Sequence, residues 1–118
     1  MIDVRFMYIR GATWEPSGCI AIRVRRSLNR AEYGLSVCNP VDAMDSKGHR
    51  LPFDRKKAQA LATRRLDNEI RRCYITSDAT QHEITKAVLG DIIASGFGPS
   101  RAVRFAKKWI DMADCIYG

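Results

Sequence analysis

The chain has 118 residues, of which 20 are Lys or Arg and 13 are Asp or Glu, a formal net charge of +7; 46% of the residues are hydrophobic and 28% charged. These values describe one globular domain spanning 1–118 and exclude a disordered or low-complexity chain. No apolar run approaches the roughly 18 residues of a membrane helix, and the start, Met1-Ile2-Asp3-Val4-Arg5, lacks a signal-peptide layout.

The first third reads as strands. Ile2, Val4, Phe6 and Tyr8 alternate with Asp3, Arg5, Met7 and Ile9; Ile20, Ile22 and Val24 with Ala21, Arg23 and Arg25; Tyr33, Leu35 and Val37 with Gly34, Ser36 and Cys38. Period-two alternation of β-branched and aromatic residues marks half-buried strands. Turns over Gly11 to Gly18 and Ser27 to Ala31 imply an antiparallel meander. One face is expected to carry Val4, Phe6, Ile22, Val24, Leu35 and Val37 to the core, and the other to show Arg5, Arg23, Arg25 and Ser36. Residues 39–52 read as a loop, punctuated by Asn39-Pro40, Gly48 and Pro52.

Asp54 is a good N-cap for a first helix with an apolar stripe of Ala58, Leu61, Ala62 and Leu66. Asn68 would end it, and Arg72 to Thr76 would either prolong it or form a fourth strand. Thr80-x-x-Glu83 is a capping box opening a helix from about Gln81 to Ser95, with Gly96 placed to end it. A last helix follows from Ser100 to Cys115, with Val103, Ala106, Trp109, Ile110 and Ala113 inward and Arg101, Arg104 and Lys108 outward. The expected fold is α+β: a three- or four-stranded antiparallel β-meander with about three helices packed on one face.

Charge is the strongest functional signal. Eight basic residues stand between Arg50 and Arg72 against Asp54, Asp67 and Glu69. Lys57 and Arg64, seven apart, share a helix line that Arg71 extends if the helix reaches it; Lys56 and Arg65 flank it. Such a line can neutralise successive phosphates. The face with Arg5, Arg23 and Arg25 is a second basic surface, suited to backbone contact because Phe6, Tyr8 and Tyr33 are expected in the core and stacking needs exposed aromatics. Trp14, in the first hairpin loop, either anchors a partner or folds back on the sheet edge. The hairpin around Ser95 to Pro99, with Arg101, Arg104, Lys107 and Lys108 beyond it, has too long a turn for a standard helix-turn-helix.

Competing chemistry is sparse. Cys19, Cys38, Cys73 and Cys115 contain no C-x-x-C pair, so free, mostly buried thiols are expected rather than a zinc site. His49 near Asp42 and Asp45, and His82 four residues after Asp78, are isolated candidates for metal or acid–base work. No catalytic residue, metal or cofactor is therefore assigned. An open edge strand leaves a route to a homodimer.

Residues Glu32-Tyr33-Gly34-Leu35, then Asn39-Pro40-Val41-Asp42, then Phe53-Asp54 opening a helix with Ala60-Leu61-Ala62-Thr63-Arg64-Arg65-Leu66, carry a resemblance to small accessory proteins of tailed bacteriophages or prophages. The resemblance covers about residues 32–68 and transfers no functional residue. It implies a role in host takeover, phage DNA metabolism or evasion of host defence, inside the host cytoplasm. Anti-CRISPR proteins form one such group; many are acidic nucleic-acid mimics, and this basic chain departs from them. The expected function is a non-enzymatic module that engages nucleic acid or a nucleic-acid-handling complex. The alternatives are a phage-type inhibitor docking on a host defence or transcription protein, through Trp14 or Tyr117, and a small enzyme.

Overall fold

The computed structural model describes residues 4–10, 16–37, 47, 53–68, 71–96 and 100–117, with side chains described to 112 in the last helix. Four strands, β1 (Val4–Arg10), β2 (Pro16–Arg25), β3 (Arg30–Val37) and β4 (Arg71–Tyr74), form an antiparallel sheet in the order β1-β2-β3-β4. Helix α1 (Arg55–Asn68) joins β3 to β4, and α2 (Gln81–Ser95) and α3 (Ser100–Tyr117) follow. The α+β class and the meander are as expected, and residues 71–74 form a fourth strand.

The helices do not share one face. In β2, Cys19, Ala21 and Arg23 point to the same side as Val4, Phe6 and Tyr8 of β1 and Glu32, Gly34 and Ser36 of β3. That side receives α1, whose Ala58, Ala62 and Leu66 pack on Cys19 and Ala21 with Val4, Tyr8 and Phe53 around them. The opposite side carries Met7, Ile9, Ile20, Ile22, Ala31, Tyr33 and Leu35, and receives α2 and α3 through Ile84, Val88, Leu89, Ile92, Ala102 and Ala106. The physical reason lies in β2 itself: Gly18 to Ile22 are buried consecutively, the signature of a strand covered on both faces.

The expected register of β1 is accordingly inverted. Val4 and Phe6 lie on the α1 side, whereas Ile22, Val24, Leu35 and Val37 lie on the other. Phe6 is 37% exposed rather than in the core.

Gly34 sets how closely α1 docks. A Cβ there would stand 2.4 Å from the Leu66 amide nitrogen and 2.5 Å from the Ala62 carbonyl oxygen. Both are backbone atoms of α1, so a side chain cannot be absorbed by a rotamer change. Arg65 reinforces the contact by donating Nη1 to the Leu35 carbonyl at 2.8 Å. β4 pairs only with Arg30–Tyr33, so Leu35 lies beyond its end.

The helix ends follow local chemistry. Asp54 accepts the Lys57 amide at 3.0 Å. Thr80 and Glu83 form the complete capping box, and Gly96 closes α2 with φ of 64°. In α3, Val103, Trp109 and Ile110 are half-buried and Ala106 buried, as expected; Ala113 falls outside the described side chains.

Two glycine substitutions test this packing in opposite directions. Gly34→Ala is expected to destabilise by about 3 kcal/mol, the upper range for overpacking. Gly90, inside α2, has open space where a methyl group would stand, with nothing within 4 Å. Gly90→Ala should therefore stabilise by about 0.5–1 kcal/mol. Urea unfolding of the two variants reads both values.

Candidate nucleic-acid interface

Three groups of basic residues, on α1 and around the sheet, bear on the predicted surfaces. The first is on α1. Lys56, Lys57 and Arg64 are exposed, while Arg55 lies over the Tyr8 ring at 5.2 Å. Lys57 and Arg64 form the expected line, but Arg71 does not extend it: Arg71 is in β4, opposite Tyr33. There it takes part in the contact in which the buried Tyr33 hydroxyl donates to Asp91 of α2. Burial, with the Asp91 hydrogen bond second, pushes the Tyr33 phenol well above its usual range. Arg65 is likewise taken up by the fold through Leu35.

The second group is built around Glu32. Its side chain is 1% exposed and meets three arginines: Arg23 Nε at 2.8 Å and Arg25 Nε at 2.9 Å on Oε1, and Arg30 Nη2 at 2.9 Å on Oε2. Arg23 also reaches Asp67, at the end of α1, through Nη1 at 2.9 Å. Pairing explains the arrangement. Arg23 stands opposite Glu32, Glu32 opposite Arg72, and Arg25 opposite Arg30, so alternate positions of three strands bring these side chains to one patch. Burial pushes the Glu32 carboxyl up, but the hydrogen bonds and charges of Arg25 and Arg23 outweigh it and hold the group below its ordinary value. The hydrogen bond to Glu32 in turn raises the Arg23 guanidinium.

This patch lies past the region where α1 sits on Cys19, Ala21 and Gly34. It continues onto β4 with Arg72, exposed, and Tyr74, 72% exposed. Leu28, in the 3-10 turn Arg26–Leu28 that joins β2 to β3, is exposed at the same end. Four guanidinium groups here face two carboxylates. Arg25 and Arg30 are like charges directly opposite, a pairing that costs stability without an anion between them, and Glu32 supplies only one. Among the described residues the Nη groups of Arg25 and the side chains of Arg72 and Tyr74 have no partner.

The third group is Arg5 and Arg26. Arg5 does not belong to the Glu32 patch. It lies on the other side of the sheet and donates to Gln81 of α2. The expected face of Arg5, Arg23 and Arg25 is thus corrected: the inverted register of β1 sends Arg5 away and brings Arg30, Arg72 and Tyr74 in. Lys56 and Lys57 stand about 15 Å along α1 from Asp67, at 1.5 Å per residue, and do not converge on it. Arg64 is one turn from Asp67. Trp14 and His49 lie outside the described residues, as does the side chain of Tyr117.

The His82 ring packs on Trp109 of α3 at 5.3 Å between centroids. Burial pushes the Cys19 thiol up to about 11; burial, aided by Asp91, does the same to Cys73. Neither is a thiolate at neutral pH. Among the described residues no three His, Cys, Asp or Glu side chains gather. No protein-family model, curated protein or solved structure matches this chain.

Glu32 carries a pH signature. A carboxyl with a depressed folded pKa contributes stability that is complete above its unfolded pKa of roughly 4.3 and is lost as pH falls through the folded value. Glu32→Gln is expected to destabilise by about 3 kcal/mol at neutral pH, by stranding three guanidinium groups. The gap to the unsubstituted protein should narrow below about pH 4. Denaturant midpoints measured across that range check both.

Proposed function

We propose that the chain is a non-enzymatic module that binds nucleic acid, with single strands preferred, through the patch of Arg25, Arg30, Arg72 and Tyr74, supported by Arg23 and by Arg64 on α1. The observation that carries the reading is Tyr74. An exposed aromatic on a sheet, between arginines with spare donors, combines a stacking surface for a base with fork-shaped donors for phosphate. Glu32 holds Arg23, Arg25 and Arg30 in fixed positions, which reduces the entropy lost when a phosphate docks.

Lys56 and Lys57 add longer-range attraction. Steering of this kind raises association rates and fades with salt. No helix among the described residues is long and apolar enough to cross a membrane. Free Cys19 and Cys73 suit a reducing interior, and with the phage resemblance we place the protein in the cytoplasm of a bacterial host.

A protein partner is the second reading. Leu28, 56% exposed at the same end of the sheet as Tyr74, favours it, since exposed apolar side chains among basic ones also fit an inhibitor docking on a defence complex. A pull-down from nuclease-treated host lysate separates the two: a specific partner that survives nuclease supports docking.

For the nucleic-acid reading, a labelled single-stranded oligonucleotide should bind at about 50 mM salt and weaken steeply as salt rises. Arg72→Glu is expected to reduce the log–log salt slope by about 1, and Tyr74→Ala to weaken binding about tenfold. Fluorescence anisotropy reads both. No binding at low salt overturns the direct form of the proposal.

A further inference from the structure

The sheet face opposite the Glu32 patch holds a cleft of about 500 Å3 between β1, β2 and the first turns of α2. Phe6, Met7, Ile22, Val24 and Ile84 give it apolar walls, and three arginines, Arg5, Arg25 and Arg26, line it with them; Arg25 is the one already bound to Glu32. The size is within the roughly 300–1,000 Å3 of small-ligand sites. Its charge is one-sided, since no carboxylate lines it among the described residues. Glu83, the acidic residue of α2's first turn, is folded back onto the Thr80 amide in the capping box.

Arg5 and Arg26 are held in place and incompletely used. Arg26 gives Nη1 to the carbonyls of Ser77 at 3.0 Å and Ala79 at 2.9 Å, tying the loop before α2 to the β2–β3 turn. Arg5 gives Nη1 to Gln81. A guanidinium has five N–H donors, and Nε and Nη2 of both residues have no partner among the described residues. Apolar walls beside anchored guanidinium groups are complementary to a molecule with an aromatic ring at one end and a phosphate at the other.

We infer that this cleft binds a nucleotide through a terminal phosphate, with the base against the apolar walls of Met7, Ile22, Val24 and Ile84 and the phosphate between Arg5 and Arg26. The inference rests on the nucleic-acid reading for its ligand class. It gives the protein two nucleotide-binding surfaces at one end of the sheet that meet at Arg25, which lines the cleft and is held by Glu32. The nucleotide is either free or the phosphorylated end of a strand lying on the Tyr74 patch.

Adenosine 5′-monophosphate titrated into isotope-labelled protein is the test, with adenosine and decanoate as controls. The expected result is shifts at Arg5, Met7 and Gln81–Thr85, with adenosine weaker by about tenfold. Arg5→Glu and the cleft-filling Thr85→Tyr should each abolish the shifts while leaving the melting temperature within a few degrees. A 5′-phosphorylated oligonucleotide binding about three- to tenfold tighter than its 5′-hydroxyl form supports a strand end; no such gain with the nucleotide shifts intact supports the free nucleotide. Absence of cleft shifts at about 10 mM nucleotide, with oligonucleotide binding retained, overturns the cleft and leaves the Tyr74 patch standing. Equal response to decanoate overturns the nucleotide class. Cleft shifts without any oligonucleotide binding support the cleft and overturn the proposed function instead.

Discussion

The backbone contact at Gly34 governs where everything else lies. With no side chain at that position, α1 rests its Ala62–Leu66 turn directly on the middle of β3. Cys19 and Ala21, both small, continue the seat across β2, and Ala58 and Ala62 meet them from the helix. A helix held this close is confined to the part of the sheet made of small residues. It covers that part and ends at Asn68, with Asp67 in its last turn paired to Arg23. Beyond it, the same sheet face is left to long, charged side chains.

That division accounts for the Glu32 cluster. A carboxylate 1% exposed costs several kcal/mol in desolvation unless it is fully partnered, and three arginines partner it. Because they outnumber the acids, the neutralisation is incomplete from the arginines' side. The patch is therefore both a structural ion cluster and a source of unneutralised positive charge. The two roles rest on the same residues, with Arg72 and Tyr74 contributing to the surface alone. The opposite face follows a different logic: α2 and α3 fill it with aliphatic side chains, and at the first turn of α2 a gap remains, lined in part by Arg5, Arg25 and Arg26.

Elements governed by local chemistry were legible in the sequence. The Thr80–Glu83 capping box and Gly96 bound α2 at Gln81–Ser95, and Asp54 and Asn68 bound α1, because caps act within one turn. The strands were legible as strands, but not the face each presents, since alternation specifies two sides without saying which neighbour shares them. The unbroken run Gly18 to Ile22 was the available signal that the sheet is covered twice, and Gly34 the signal for close helix approach. The site was legible in part. Arg23 and Arg25 were singled out and both pair with Glu32, while Arg30 was missed because its place in the cluster depends on a cross-strand pair with Arg25. Tyr74 was missed because residues 72–76 read equally as helix or strand, and only as an edge strand does Tyr74 emerge beside Arg72. Arg65 and Arg71 were indistinguishable in sequence from surface cations; the open carbonyl of Leu35 and the Tyr33–Asp91 contact take them into the fold.

The central claim is that the working surface lies at the β2–β3 turn end of the sheet, not along the basic helix. Hydrogen–deuterium exchange with and without a single-stranded oligonucleotide tests it most directly. The account predicts added protection over residues 23–30 and 71–77 and none at the Lys56–Lys57 turn of α1. Protection confined to α1, or to α3, would contradict it.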